Sequence, residues 1–402
     1  MDTAVIEAFQ NTTPETNGLQ TARIVIAFLL IFALGCSLGA CATDRAPPIR
    51  PLVSNAENLP SPSETRALKR GINLSRWWEA EHDRALDDSD IRNLQAMGFD
   101  FVRLPLDPLT LGKQGHDESM QEEKLKALRR DLELLIDAGF SVVLDLHPKD
   151  DFQRRLTKLP PGEAKQKLEE TWRNLGEAIK GLPPKRLLLE LLNEPKFSTS
   201  RWWKIQNELI VALRPIYPQN TFVATTSPDS GWWQLDDLKP YHDSNVIYDF
   251  HFYEPMAFTH HEVEWSKAFD PKRAAQLVPY PVDPEDAANQ NVADPAIRAY
   301  LRQKWNRDKL ARLIEKIAAW EKRHKAKLIC FEFGVYHKHV DERSRMGWLR
   351  DLREEFEKKG IPWAMWEYKG PFGLLPINAD HGDAPDKAIT EALGIESGKE
   401  TP

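Results

Sequence analysis

The sequence predicts a single (β/α)8 barrel on three observations: short apolar runs alternate with long amphipathic ones, eight such pairs can be counted, and most apolar runs end in polar residues. Strands of a parallel barrel are covered on both faces and read as continuous apolar runs. The candidates are Gly71 to Ser75, Asp100 to Leu106, Ser141 to His147, Arg186 to Asn193, Thr221 to Ser227, Val246 to Tyr253, Lys327 to Gly334 and Pro362 to Tyr368. Helical periodicity lies between them over Glu122 to Ala138, Gly162 to Lys180, Arg201 to Ile216, Ala296 to His324 and Glu342 to Lys359. Gly139 and Gly360 follow two of these helices, where a left-handed cap suits a residue without Cβ. A doubly wound open sheet is the competing architecture, but no Gly-rich phosphate fingerprint follows the first strand. The long irregular stretch Glu254 to Pro295 follows strand six and is expected over the face where the strands end.

Composition narrows the function. The 402 residues are 41% hydrophobic and 29% charged, ordinary for a globular chain, and the net charge is −7. With no basic block interleaved with aromatics, the footprint of a nucleic-acid binder is missing, and a neutral substrate is expected. The 13 Trp residues stand out, since each offers a flat π-face and an N–H donor suited to sugar rings.

At the N-terminus, Ile24 to Leu34 is an unbroken apolar run of 11 residues, short for a bilayer span and well sized for a signal-peptide core. Leu38-Gly39-Ala40-Cys41 follows it and resembles the bacterial lipobox. The expectation is therefore a signal over residues 1–40, a lipidated Cys41, a polar tether over 41–65 and the barrel over 66–395. Ala42 after the Cys, rather than Asp, implies by the same resemblance the outer membrane of a bacterium, the facing side left open. Only Cys330 would remain besides Cys41, so no disulfide is expected. A monomer is expected.

In a (β/α)8 barrel the strand C-termini converge on one face. Strand two carries Arg103, strand three ends at His147, strand four at Asn193-Glu194-Pro195, strand six at His251-Phe252-Tyr253, strand seven at Glu332-Phe333-Gly334, and strand eight carries Trp366. Two carboxylates at one mouth are what glycosidic cleavage needs, one to protonate the leaving oxygen and one to attack the anomeric carbon or activate water. An isolated Glu after a strand is ordinarily solvated or salt-bridged; the joint arrangement carries the inference.

Val102-Arg103-Leu104-Pro105, Asp145-Leu146-His147, Asn193-Glu194-Pro195, His251-Phe252-Tyr253, Phe331-Glu332-Phe333-Gly334 and Trp366 together resemble the active-site set of glycoside hydrolase family 5. The resemblance spans roughly Lys69 to Gly370. It implies a retaining hydrolase with Glu194 as acid/base and Glu332 as nucleophile, supported by Arg103, His147, Asn193, His251, Tyr253 and Trp366. The stretch His251 to Trp265 resembles endo-β-1,4-glucanases more than mannanases.

Like-charge repulsion is expected to raise Glu194, while Arg103 and Tyr253 lower Glu332. Trp77, Trp78, Trp232 and Trp265 are candidates for sugar stacking. No cofactor and no metal are expected, because His260-His261-Glu262 and His337-Lys338-His339 lack a recognised ligand spacing. The expected partner is a β-glucan. Action on β-mannan, xyloglucan or β-1,3-glucan, and a surface sugar-binding protein without catalysis, are the alternatives.

Overall fold

The computed structural model describes residues 68–79, 86–112, 120–283, 292, 294–376, 379, 383 and 385–395. Eight parallel strands close into a barrel in sequence order: β1 (Arg70–Asn73), β2 (Phe101–Leu106), β3 (Ser141–Leu146), β4 (Leu187–Glu190), β5 (Phe222–Thr225), β6 (Val246–His251), β7 (Lys327–Glu332) and β8 (Trp363–Met365). Arg70 pairs with Trp363 and Gly71 with Phe101, so β1 joins both β8 and β2 and leaves no edge.

The helices are α1 (Asp88–Ala96), α2 (Glu122–Asp137), α3 (Asp150–Lys158), α4 (Pro161–Ile179), α5 (Thr199–Leu213), α6 (Met256–Thr259), α7 (Pro271–Ala274), α8 (Pro295–Arg302), α9 (Arg307–His324), α10 (Glu342–Lys359) and α11 (Lys387–Ala392). One departure from the sequence pattern has a local cause. The expected helix Ala296 to His324 is two, because Lys304 turns at φ 51° and the Asn306 side chain caps α9 by accepting from Lys309 N–H. The β5–β6 connection holds a 3₁₀ helix, Trp232–Asp237, where a full α-helix would repeat the unit. Helix α1, short and polar, starts at Asp87, whose carboxylate accepts from Ser89 and Asp90 N–H. Gly360 does cap α10 at φ 69°.

Period two along the strands sorts the barrel into distinct environments. One set, including Ile72, Val102, Leu104, Leu144 and Leu189, faces the helices in an apolar shell completed by Trp172, Trp202 and Trp348. Truncating one such residue, Leu189→Ala for instance, would cost about 2–5 kcal/mol through lost burial and a cavity. The alternate set faces inward. Phe101, Val143, Leu188, Val223, Ile247, Ile329, Phe331 and Ala364 form an apolar layer inside the barrel. Two residues further along β2, β3, β4 and β6 the inward positions become Arg103, Asp145, Glu190 and Asp249, all buried. The polar mouth is thus built directly on an apolar floor.

Residues Trp265–Ala268 group apart from this barrel unit. Within that segment Ala268 N–H donates to Ser266 Oγ at 3.1 Å.

Candidate active site

The site begins with a buried cation. Arg103 is fully enclosed, and all five of its N–H bonds find acceptors. Nε and Nη2 grip the two oxygens of Glu190 at 2.7 and 2.8 Å, Nη2 also reaches Asn193 Oδ1 at 2.8 Å, and Nη1 donates to Asn73 Oδ1 at 3.0 Å and Glu332 Oε1 at 2.7 Å. Asp145 Oδ2 lies 2.9 Å from Nη2. Burial works against the charge, but Asp145, Glu190 and Glu332 more than offset it and hold the guanidinium protonated. Asn73 in turn donates to Phe331 O and Met365 O, tying β1 to β7 and β8.

Glu332 ends β7 above this cation. Besides Arg103, the Tyr253 hydroxyl donates to its Oε2 at 3.0 Å. Tyr253 is itself set by the loop after β6, where the Thr259 hydroxyl donates to Tyr253 O and His260 packs edge-on against its ring. Gly334 permits a close approach here: a Cβ on it would stand 2.4 Å from Trp366 O, so only a glycine lets the ends of β7 and β8 meet. Trp366 is half-buried and stacks on His147 with ring centroids 5.7 Å apart.

Glu194 leaves the end of β4 through a turn in which its own φ is 38°, unusual for a side chain with a Cβ. Its Oε1 accepts from His251 Nδ1 at 3.1 Å, and His251 Nδ1 is also 3.4 Å from Glu332 Oε2. Carboxylate oxygens of Glu194 and Glu332 and a ring nitrogen of His251 all lie within 4.8 Å of one another. The sequence-predicted residues Arg103, His147, Asn193, Glu194, His251, Tyr253, Glu332 and Trp366 therefore meet at one mouth. A cavity of about 200 Å³ opens beside Glu194, His147 and Asn193, with Glu79, Gln153 and Lys196 also in its wall.

The electrostatics depart from expectation. Burial raises Glu194, but the charge of Lys196, 3.5 Å away, and the His251 hydrogen bond outweigh it and hold Glu194 well below the usual carboxylate range. Burial raises Glu332 too, and there the Glu194 charge adds to it, so the net shift is upward against His251 and Arg103. The expected polarity of the pair is reversed, because Lys196 and His251 face Glu194 while burial and the Glu194 charge outweigh Arg103 and His251 at Glu332. His251 is pulled down by burial yet lies well above its ordinary value, held there by Glu332 and Asp249. The three groups titrate as one unit. For His147, burial is overcome by Asp145, whose charge and 2.7 Å hydrogen bond push it up to about 9. The Asn193 amide, 3.1 Å from its other nitrogen, favours the neutral ring and opposes that shift.

Sequence reasoning missed Glu190 and Asp249 beneath the mouth and gave Asp145, which stands in a quoted motif, no role. Glu190, Asp145 and Asp249 are buried, and burial with its acidic neighbours pushes Glu190 up to about 8 despite Arg103. The available signal was a charged residue at the inward phase of an otherwise apolar strand. Among the described residues, two carboxylate–histidine groups could reach a common ion, Glu190 with Asp249 and His251, and Glu194 with His251 and Glu332. We read neither as a metal site, because Arg103 already grips Glu190 and Glu332 and His251 bridges the second pair. His261 and His337 are engaged with backbone carbonyls of Gln276 and Pro371.

The expectations for Trp77 and Trp78 need correction. Trp77 and Trp78 are both only 4% exposed; Trp78 N–H donates to Asp131 and Trp77 packs near Tyr368, so neither offers a face to a sugar. Trp232 is half-buried, its N–H 3.4 Å from Glu254 Oε1, just beyond Gly231, which pairs with His251. Trp265 is exposed within its separate segment. Cys41 lies outside the described residues, as does all of the expected signal and tether, while Cys330 is a buried free thiol.

Residues 62–371 match the family model described as Cellulase (glycosyl hydrolase family 5). Endoglucanase 3 of Fibrobacter succinogenes is 26% identical over 381 residues, covering 85% of this chain but 56% of that protein, so the chain spans little more than half of that relative. Endoglucanase C of Acetivibrio thermocellus is 28% identical over 323 residues, 75% of this chain and 92% of the relative. A hyperthermophilic endo-β-1,4-glucanase solved with its substrate superposes with a TM-score of 0.68 at 22% identity, covering 83% of this chain and 99% of that one, which establishes the shared fold. With the family match extending over most of the chain, the protein belongs to the cellulase family, glycosyl hydrolase family 5.

Proposed function

We propose that the protein is a retaining endo-β-1,4-glucanase, with Glu332 as nucleophile and Glu194 as acid/base. One observation carries the stereochemistry: oxygens of the two carboxylates lie within 4.8 Å of each other. Retaining pairs stand about 5–5.5 Å apart, whereas inverting pairs need about 6.5–9.5 Å to admit a water between carboxylate and sugar. The glucan specificity draws on the endoglucanases the chain resembles.

In the first step Glu332 attacks the anomeric carbon while Glu194 gives a proton to the departing glycosidic oxygen. Arg103 and Tyr253 fix the Glu332 carboxylate and keep one oxygen directed at the sugar. The His251 ring, whose Nδ1 is 3.1 Å from Glu194, orients the carboxyl that delivers this proton. In the second step Glu194, again a carboxylate, takes a proton from the water that releases the glycosyl group. Asn193, anchored by Arg103 and Gln153, is poised to hold the sugar 2-hydroxyl, and half-buried Trp366 forms the floor next to it.

Product analysis on carboxymethyl-cellulose, mixed-linkage β-glucan, mannan and laminarin, with the anomer followed by NMR, tests this reading. Internal cleavage of the first two with the β-anomer appearing first is expected; α-anomer first, or cleavage confined to mannan or laminarin, would overturn it. Export and a lipid anchor at Cys41 belong to the same reading and rest on the apolar run Ile24 to Leu34 and the Leu38-Gly39-Ala40-Cys41 motif. Fatty-acid labelling of the wild type but not of Cys41→Ser is the expected outcome.

A further inference from the structure

Two residues beyond Glu194 the chain places a second cation against it. Lys196 Nζ is 3.5 Å from Glu194 Oε2 and 2.5 Å from Asp229 Oδ1, so one ammonium is shared between the carboxylate at the mouth and a carboxylate after β5. The two loops that carry them are locked together. Asp229 N–H donates to Pro195 O at 3.2 Å, and the Ser227 hydroxyl lies within reach of Pro195 O at 3.0 Å and Phe197 O at 2.7 Å. Glu194, Asp229 and Ser230 all hold positive φ, at 38°, 60° and 50°, a backbone state that non-glycine residues keep only where their surroundings impose it.

We infer that Lys196, held by Asp229, is a positioning residue that occupies the Glu194 carboxylate and so sets the pH range in which Glu194 can act as proton donor. The inference rests on the assignment of Glu194 as acid/base. The other titratable groups facing Glu194 are His147 just after β3, His251 of β6, Tyr253 and His260 after β6, and Glu332 of β7, while Asp150 of α3 acts on Lys196. His147, His251 and Glu332 belong to the reacting site, whereas Lys196 and Asp229 act through Glu194. An ammonium this close favours the ionised carboxylate, which suits the base step and opposes the acid step. Asp229 draws the ammonium away and partly cancels it. The two residues therefore pull in opposite directions.

That opposition supplies the test. The alkaline limb of kcat/KM on soluble glucan should move up by about one pH unit or more in Lys196→Met and down in Asp229→Asn. The double variant should follow Lys196→Met. With a dinitrophenyl cellobioside, whose leaving group needs no proton, the pH dependence of dinitrophenol release in the first turnover should show no such opposite shift in the two variants. A merely structural role would lower activity in both variants without moving the limb in opposite directions, and that result, or limbs that move together or not at all, would overturn the inference. Glu194→Gln separates this failure from the failure of its premise: if the alkaline limb survives in that variant, Glu194 is not the proton donor, whatever Lys196 does.

Discussion

The mouth holds the same side chain in two different settings. Glu332, at the end of β7, is gripped from below by Arg103 and from the side by Tyr253, groups rooted in the barrel wall and in the loop directly after β6. Glu194, at the end of β4, borders the cavity and meets Lys196 from its own loop, with side-chain exposures of 22% and 26%. Fixed, buried partners orient a nucleophile and forbid it to wander. Partners on partly exposed loops can exchange a carboxylate between charged and neutral forms. The difference teaches that the nucleophile is anchored on the buried Arg103 of β2, whereas Glu194 divides its contacts between the buried His251 of β6 and Lys196 on its own loop.

The comparison breaks most sharply at the two glutamates themselves. Glu332→Gln should lower turnover at least ~10⁴-fold on every substrate, because no covalent intermediate can form. Glu194→Gln should lose roughly 10²–10⁴-fold on glucan. On a dinitrophenyl cellobioside it should still release phenol in a first turnover and then stall, with azide, which needs no base, restoring turnover. Stopped-flow and steady-state rates on both substrates distinguish the two; a phenol burst from Glu332→Gln would exchange the roles.

The cations beneath and beside the pair should differ next. Arg103→Met leaves Glu190, Asp145 and Glu332 facing one another in a buried space, and should cost about 3–5 kcal/mol by denaturant unfolding. Lys196→Met removes a partly exposed ion pair and should cost less than about 1 kcal/mol. Equal losses would show that the interior of the barrel is no more rigidly bound than its loops.

Much of this was legible in the sequence, for a physical reason. Eight apolar runs in register with helical ones specify a closed parallel barrel, and the residues that end the runs are the ones brought to its mouth. The strands were read too long at their C-termini: Asn193, Tyr253 and Gly334 lie past the last paired residues Glu190, His251 and Glu332, because the ladder ends where the chain turns over the mouth. Tertiary partnership was what the sequence could not display. Trp77 and Trp78 sit at the right distance after β1 to meet a sugar, yet both rings pack inward. Lys196 reads as one more surface lysine until the turn at Glu194 folds it back. Glu190 was hidden in a run of leucines, Leu187 to Leu192, that announces only burial.

Glu190 supplies the smallest and most specific difference, because it sits on the same strand as the Glu194 turn but on the barrel side of it. With a reference of 4.5 and a folded value of about 8, this carboxyl is protonated in both states below about pH 4.5. As pH rises from there the unfolded chain releases the proton while the folded protein keeps it, so stability drains away until the folded group also ionises near 8. Glu194, pulled the opposite way, stabilises the fold above its unfolded value and loses that contribution only as pH falls below it. Glu190→Gln cannot titrate, so it removes the pH dependence that Glu190 contributes, while its amide can accept only one of the two Arg103 N–H bonds that the carboxylate accepts and so lowers stability by a pH-independent amount. The difference in stability between variant and wild type should therefore move steadily in the variant's favour as pH rises from 5 to 8, read from denaturant midpoints at each pH. A gap between the two proteins that stays constant across this range would mean that Arg103, which donates to both Glu190 oxygens, keeps the carboxylate ionised throughout.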